Sequence, residues 1–319
     1  MNTRGRTTQR RGGALRDSQW SRLLTESRNP RSLNLDRMAT EKVVTLLLDE
    51  DRLAIIEAKK KARDAASAAR LVAKALSKGG RVVFVGAGTS GRLGVLEAAE
   101  CPPTFGTSSE MIQGVMAGGK DAVFRSKEGS EDRALEGERA VAEVGPRDVV
   151  IGISASSLTP FVRGALKRAR ARRAKTVLVT CAPQTRLKAL ADVVIAIRTG
   201  PEVLTGSTRL KAGSATKAIL NAITTAAMIR VGKAYLNFMV DLKQNSKKLK
   251  DRARRIVAVA ADVDLVKADR LLLAARNEVK TAIVMGRLQL DAPAAREKIA
   301  SADGHVRKAL NGARRSPRS

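Results

Sequence analysis

Five short apolar runs constrain this chain's fold more than any other feature of its sequence. Val82-Val83-Phe84-Val85 is apolar at every position, and further runs lie at Met111–Met116, Val149–Ile153, Thr176–Val179 and Val193–Ile197. A strand with one wet face alternates apolar and polar side chains, whereas a continuous apolar run is buried on both faces. Helical segments separate most of these runs. Buried strands alternating with helices predict an α/β fold: a doubly wound parallel sheet covered on both sides.

The flanks read differently. Thr40 suits the N-cap of a helix through Val43, Val44, Leu46, Leu47 and Leu48, and a longer helix is expected at roughly 52–77, stopped by Gly79-Gly80. Thr159-Pro160 reads as a helix start with proline at the first helical position, and a long helix is expected over Lys211–Ile229. After about residue 240 the strand runs cease, and 245–312 read as four short helices with breaks near Asp264, Asn277, Asp291–Pro293 and Gly304. The expected layout is a flexible basic arm and loop over 1–35, a sheet domain over 36–240, and a small helical domain with a basic tail over 241–319. No internal repeat is present.

Composition narrows the function classes. Hydrophobic residues make up 44% of the 319, enough for a sizeable core, but aromatics are only 2%, so the core must be aliphatic. No apolar run approaches the ~18 residues of a membrane span. The Arg-rich N-terminus has no following apolar stretch and does not read as a secretory signal. Cys101 and Cys181 are expected as buried or semi-buried free thiols in a reducing cytoplasm. The net charge of +29 is concentrated at Arg4, Arg6, Arg10 and Arg11, along Arg163–Arg173, and at Arg314, Arg315 and Arg318. Such patches attract polyanions without reading sequence. With no zinc-finger spacing, no aromatic RNA-binding pattern and no helix-turn-helix, no specific nucleic-acid partner is expected, and the basic surface reads as solvated, with incidental polyanion binding left open.

The chemistry-bearing motif is Gly86-Ala87-Gly88-Thr89-Ser90-Gly91, between a strand and a helix. As G-x-G-x-x-G it permits a dinucleotide, but that reading needs an acidic residue at the end of the next strand. There the chain has Ala117-Gly118-Gly119 instead. The Thr89 and Ser90 hydroxyls beside N–H groups at a helix start suit a phosphate monoester better. A second hydroxyl-rich turn, Ser154-Ala155-Ser156-Ser157-Leu158-Thr159, follows the strand at 149–153. Turns at the carboxyl ends of parallel strands converge on a crevice. Gly88, Thr89, Ser90, Ser154, Ser156 and Thr159 are therefore the candidate phosphate-binding residues.

Several longer motifs carry a resemblance: Glu26–Pro30 (ESRNP), Gly86–Gly94 (GAGTSGRLG), Ala99–Gly106 (AECPPTFG), Ala117-Gly118-Gly119, Glu128–Asp132 (EGSED), Gly200–Ala212 (GPEVLTGSTRLKA) and Asn237–Leu242 (NFMVDL). The strand–turn pairs resemble the sugar isomerase domain, and most of residues 25–290 resembles the N-acetylmuramic acid 6-phosphate etherases. That resemblance implies cleavage of the ether between C3 of the sugar and D-lactate, in the recovery of cell-wall amino sugar. An ether offers no carbonyl to attack. Opening the sugar ring exposes an aldehyde that acidifies the C2 hydrogen. A base takes that proton, an acid protonates the departing lactate oxygen, and water adds at C3. The route needs two carboxyls with separated pKa values and no metal or redox cofactor.

The family's two functional carboxylates fall on Glu100, implied to be the acid, and Glu131, implied to be the base. Glu202 and Lys211 are secondary candidates for binding or ring opening. The resemblance also implies a homodimer with sites near the subunit interface, where the Glu26–Pro30 segment could reach a neighbour. The chain departs from the family at the second turn, usually Ala-Ser-Gly-Arg-Thr-Pro-Tyr. Here Ser157 replaces the glycine, at a position where a side chain strains the backbone, and Leu158 replaces the arginine, removing a cation. A non-catalytic phosphosugar sensor and a phosphosugar isomerase share the fold and stand as alternatives. Glu100 and Glu131 favour the etherase, Leu158 favours the sensor, and the isomerase has no need of the AECPPTFG block.

Overall fold

A computed structural model describes residues 23–311; the basic arm before them and the tail carrying Arg314, Arg315 and Arg318 lie outside the described residues. The described chain runs α1 (Thr40–Lys59), α2 (Ala62–Leu76), β1 (Val82–Gly86), α3 (Gly88–Phe105), β2 (Ile112–Met116), α4 (Asp121–Phe124), α5 (Ala134–Ala140), β3 (Val149–Ile153), α6 (Pro160–Ala171), β4 (Lys175–Thr180), β5 (Val193–Ala196) and α7 (Lys211–Arg230). All five strands are parallel, in the order β2-β1-β3-β4-β5. Each of the five apolar runs has become a strand. β1 and β3 are buried at every residue, as their unbroken apolar sequence requires.

Successive side chains of a strand point to opposite faces, and the two cores divide accordingly. Val82 and Phe84 of β1, with Ile151, Val177 and Ile195, pack against the alanine-rich faces of α2 and α7. Val83, Val85, Val150 and Leu178 pack against Phe161, Ala165 and Leu166 of α6. The chain leaves β1 toward β2 on one side and returns to β3 on the other. The carboxyl ends of β1 and β3 therefore flank a topological switch point, with Gly86 paired to Ile153.

Three boundaries differ from expectation. Thr40 is the first residue of α1, with Ala39 in the cap position and no side-chain cap. The helix then runs unbroken to Lys59, because Leu46, Ala54 and Ala58 continue one buried stripe past the acidic stretch at 49–51. The join falls at Lys60-Lys61. After α7, a small antiparallel hairpin, β6 (Ala234–Tyr235) and β7 (Phe238–Met239), escapes the sequence pattern, being only two residues per strand.

Among its described residues the C-terminal region holds five helices rather than four: α8 (Lys247–Ala261), α9 (Leu265–Ala274), α10 (Val279–Leu288), α11 (Ala292–Ser301) and α12 (Val306–Asn311). The expected breaks are all present. Asp264 and Asp291 cap α9 and α11 through their side chains, and Asn277 and Gly304 adopt positive φ. These helices enclose their own core around Ile256, Leu272 and Ile283, against which Tyr235 and Phe238 of the hairpin pack.

Residues 23–37 form three short 3-10 turns bound to the body of the chain rather than a free loop. The buried Asn29 donates to Glu50 (3.0 Å) and to the Pro201 carbonyl (3.1 Å), and Ser32 donates to the Val203 carbonyl (2.7 Å). Cys101 and Cys181 are buried free thiols; burial pushes their pKa values up to about 12 and about 11. Among the described residues no helix is long and apolar enough to cross a membrane.

Candidate active site

A cleft of about 300 Å³ lies at the switch point, lined by residues from five segments. The first is the β1–α3 turn. A Cβ at Gly86 would lie 2.6 Å from the Gly91 nitrogen, and one at Gly91 would lie 2.7 Å from the Gly86 carbonyl oxygen. Side chains are thus excluded from both ends of the turn, so α3 starts immediately against the strand. Gly88 takes φ +54. No side chain caps α3, so its first-turn N–H groups face the cleft beside Thr89 and Ser90. Among the described residues, no hydrogen bond occupies either hydroxyl.

The second segment is the β3–α6 turn, which contributes Ser156 and Thr159. Ser157 turns away from the cleft. It is buried at φ +59, and its hydroxyl is bonded to the Thr180 hydroxyl at 2.7 Å. Ser154 is also buried, held 2.8 Å from the Thr159 hydroxyl, and does not line the cleft. It acts on the site by orienting Thr159.

The third segment, following β2, brings Ser126, Lys127, Glu128, Ser130 and Glu131 to the cleft. Arg92 of α3 ties this segment down by donating to the carbonyls of Val123 (2.7 Å) and Ala122 (2.8 Å). The fourth and fifth are the N-terminal turn bearing Glu26 and the stretch before α7 bearing Gly206 and Thr208. Glu26 comes so close that a Cβ on Gly206 would meet its carboxylate at 3.0 Å. The Glu26–Pro30 segment thus reaches this chain's own cleft.

Of the residues singled out from sequence, the cleft brings together Gly88, Thr89, Ser90, Ser156, Thr159 and Glu131. Glu202 and Lys211 lie outside it. Glu202 is fully buried and accepts from the N–H groups of Lys211 (3.2 Å) and Ala212 (2.9 Å), closing the N-terminus of α7. Burial raises its pKa, against those two N–H groups and the Lys211 charge. The Lys211 ammonium pairs with Glu50, which also accepts from Arg31 at 2.8 Å. The Glu50 pKa is pushed up by burial, but its bonds to Lys211, Arg31 and Asn29 hold it below the usual range. These groups build a buried ionic anchor joining α1, α7 and the N-terminal turns.

Glu100 also lies outside the cleft. It is exposed on α3, eleven residues beyond Thr89, which places it roughly 17 Å along the helix axis. Glu97, one turn earlier, is buried and bonded to Thr224 and, at 2.8 Å, to Asn221, which fixes α3 against α7. Burial raises the Glu97 pKa, opposed by those bonds. Glu26, Arg92, Ser126, Lys127, Glu128, Ser130 and Thr208 are cleft residues that sequence reasoning missed. Their signal was adjacency: Glu26, Arg92, Glu128, Ser130 and Thr208 sit inside the motifs that carry the family resemblance, and Ser126 and Lys127 directly precede one of them.

Two family profiles match: the glucokinase regulatory protein N-terminal SIS domain over residues 64–170, and the SIS domain over residues 131–226. A curated N-acetylmuramic acid 6-phosphate etherase of Synechocystis sp. is 46% identical over 293 residues, covering 91% of this chain and 96% of its own length. The chain belongs to the N-acetylmuramic acid 6-phosphate etherase family. Etherases of Mesorhizobium japonicum and of a Geobacillus species are likewise 46% identical over 91% of this chain, and over 95% and 99% of their own lengths. Among solved structures, a phosphoheptose isomerase from Francisella tularensis superposes with a TM-score of 0.45 at 16% identity, covering 60% of this chain and 98% of its own. So loose a likeness adds nothing to the etherase relation.

Proposed function

We propose that the cleft binds N-acetylmuramic acid 6-phosphate and that the protein cleaves its D-lactyl ether to N-acetylglucosamine 6-phosphate and D-lactate, by elimination followed by hydration. One observation carries the reading: the α3 N-terminus, the hydroxyls of Ser156 and Thr159, and the Glu131 carboxylate share one small cleft. The phosphate sits on the α3 N–H groups and the Thr89 and Ser90 hydroxyls. Glu131, on the facing loop, takes the C2 proton of the ring-opened sugar. The proton needed by the departing lactate oxygen comes from Glu100.

Within one chain Glu100 is too far to do this, so the proposal includes a homodimer in which Glu100 of one copy serves the cleft of the other. Leu96, four residues before Glu100 and thus on the same face of α3, is 43% exposed, an apolar side chain that a second copy would cover. A cytoplasmic setting is part of the same reading, supported by the two buried free thiols.

Turnover in ¹⁸O-labelled water tests the chemistry. Elimination and hydration put the label on O3 of N-acetylglucosamine 6-phosphate and leave lactate unlabelled. Label in lactate would mean that the bond breaks on the lactate side and would sink the mechanism.

A further inference from the structure

The substrate of the proposed reaction carries two anions, a phosphate and the lactyl carboxylate, and the α3 N-terminus accommodates one of them. The turn before α6 offers hydroxyls to the second but no cation, since Leu158 is aliphatic. Three carboxylates, Glu26, Glu128 and Glu131, line the same cleft. An unpaired ligand carboxylate is strongly disfavoured among them. The cleft has two cations of its own, Arg92 and Lys127. The Arg92 guanidinium is committed to the carbonyls of Val123 and Ala122.

Lys127 is differently placed. Its backbone is fixed, because its carbonyl accepts from Ser130 Oγ. Its Cβ packs over Gly118, where a glycine at φ +84 leaves the space: an added Cβ there would lie 3.0 Å from Ser130 Oγ and 3.3 Å from the Lys127 Cβ. Its ammonium, by contrast, is held among the described residues by the Gly118 carbonyl (3.1 Å) and by Asp121 (3.2 Å), whose side chain is 84% exposed. So exposed an ion pair is weak and exchangeable. A ligand carboxylate can take the place of Asp121 with little loss.

We infer that Lys127 receives the lactyl carboxylate of the substrate, and so selects the lactyl ether over the unsubstituted hexosamine phosphate. The inference rests on the etherase reading for the identity of the second anion. It places the selecting cation four residues before the proposed base, on one loop. When lactate has left, Asp121 is at hand to take the ammonium back.

The test compares two ligands in the wild type, Lys127→Gln and Lys127→Arg. N-acetylmuramic acid 6-phosphate carries the lactyl carboxylate, and N-acetylglucosamine 6-phosphate lacks it. Losing one charge-assisted contact should raise the KM for the first by about 10- to 100-fold in Lys127→Gln. The inhibition constant of the second should stay within about twofold, and Lys127→Arg should recover most of the loss. Equal weakening of both ligands, or no change in either, overturns the assignment, the first by making Lys127 a phosphate or loop-folding residue. Were the wild type to release no lactate, the etherase reading would fall. Calorimetric titration of the same two ligands would still decide Lys127 by the same difference.

Discussion

Ser157 shows how far a single residue can be read. Its place in the second turn marks it as a non-glycine where glycine is comfortable, and it adopts φ +59. What the sequence hides is its compensation, a bond to Thr180, 23 residues away on β4. Ser157→Ala keeps the strain and loses the bond, so it should lower stability by about 1 kcal/mol in denaturant titrations. Ser157→Gly relieves the strain as it loses the bond and should remain near wild type. An undiminished stability in Ser157→Ala would show that the hydroxyl contributes nothing, and equal losses in both variants would show that relief of the strain contributes nothing. Asp148 is a second hidden device. Burial pushes its pKa up, but the N–H groups of Arg81 (2.7 Å) and Gly145 (2.9 Å) and the Arg81 guanidinium hold it below the usual carboxylate range. A depressed carboxyl stabilises the fold above the unfolded pKa of about 4 and loses that contribution as the pH falls through its folded value. Asp148→Asn should therefore cost about 2 kcal/mol at neutral pH. Its deficit relative to wild type should shrink below about pH 4, and a deficit independent of pH would contradict this.

Among the elements, the strands and the α3 turn were legible because an unbroken apolar run and a glycine-rich strand–helix junction have few alternatives. The α1–α2 join was not, because the acidic stretch at 49–51 resembles a break while Glu50 is in fact buried in an ion pair. The same pair explains why Lys211 looked like a ligand contact. A lysine at a helix start in a family motif carries no local sign that its partner lies 161 residues earlier. Lys211→Met leaves Glu50 buried with one partner fewer and should cost about 3–5 kcal/mol in stability. Adding Glu50→Gln to it should cost less than the two single losses summed. Unchanged stability with a raised KM would restore Lys211 to the substrate.

In the whole molecule the two proposed catalytic carboxylates are separated: Glu131 lines the cleft and Glu100 lies outside it. The family resemblance implies that Glu100 and Glu131 act as a pair, but a resemblance in sequence does not say which copy's carboxylate meets which. α3 carries Glu100 away from the cleft that its own N-terminus forms. If two copies complete each site, Glu100→Gln and Glu131→Gln, each inactive alone, should complement when dissociated and reassociated together. Random pairing makes half the dimers mixed, each with one intact site, so about a quarter of the wild-type rate should return. No recovery would confine catalysis to one chain and put Glu26 forward as the second carboxyl. The basic surface is a separate matter of scale: α6 exposes Arg163, Lys167 and Arg170 on its outer side, away from its buried stripe. The etherase activity is read out by the D-lactate released when the purified protein is incubated with N-acetylmuramic acid 6-phosphate. One lactate is expected for each N-acetylglucosamine 6-phosphate formed. Binding without lactate, or a ketose phosphate in its place, would contradict it.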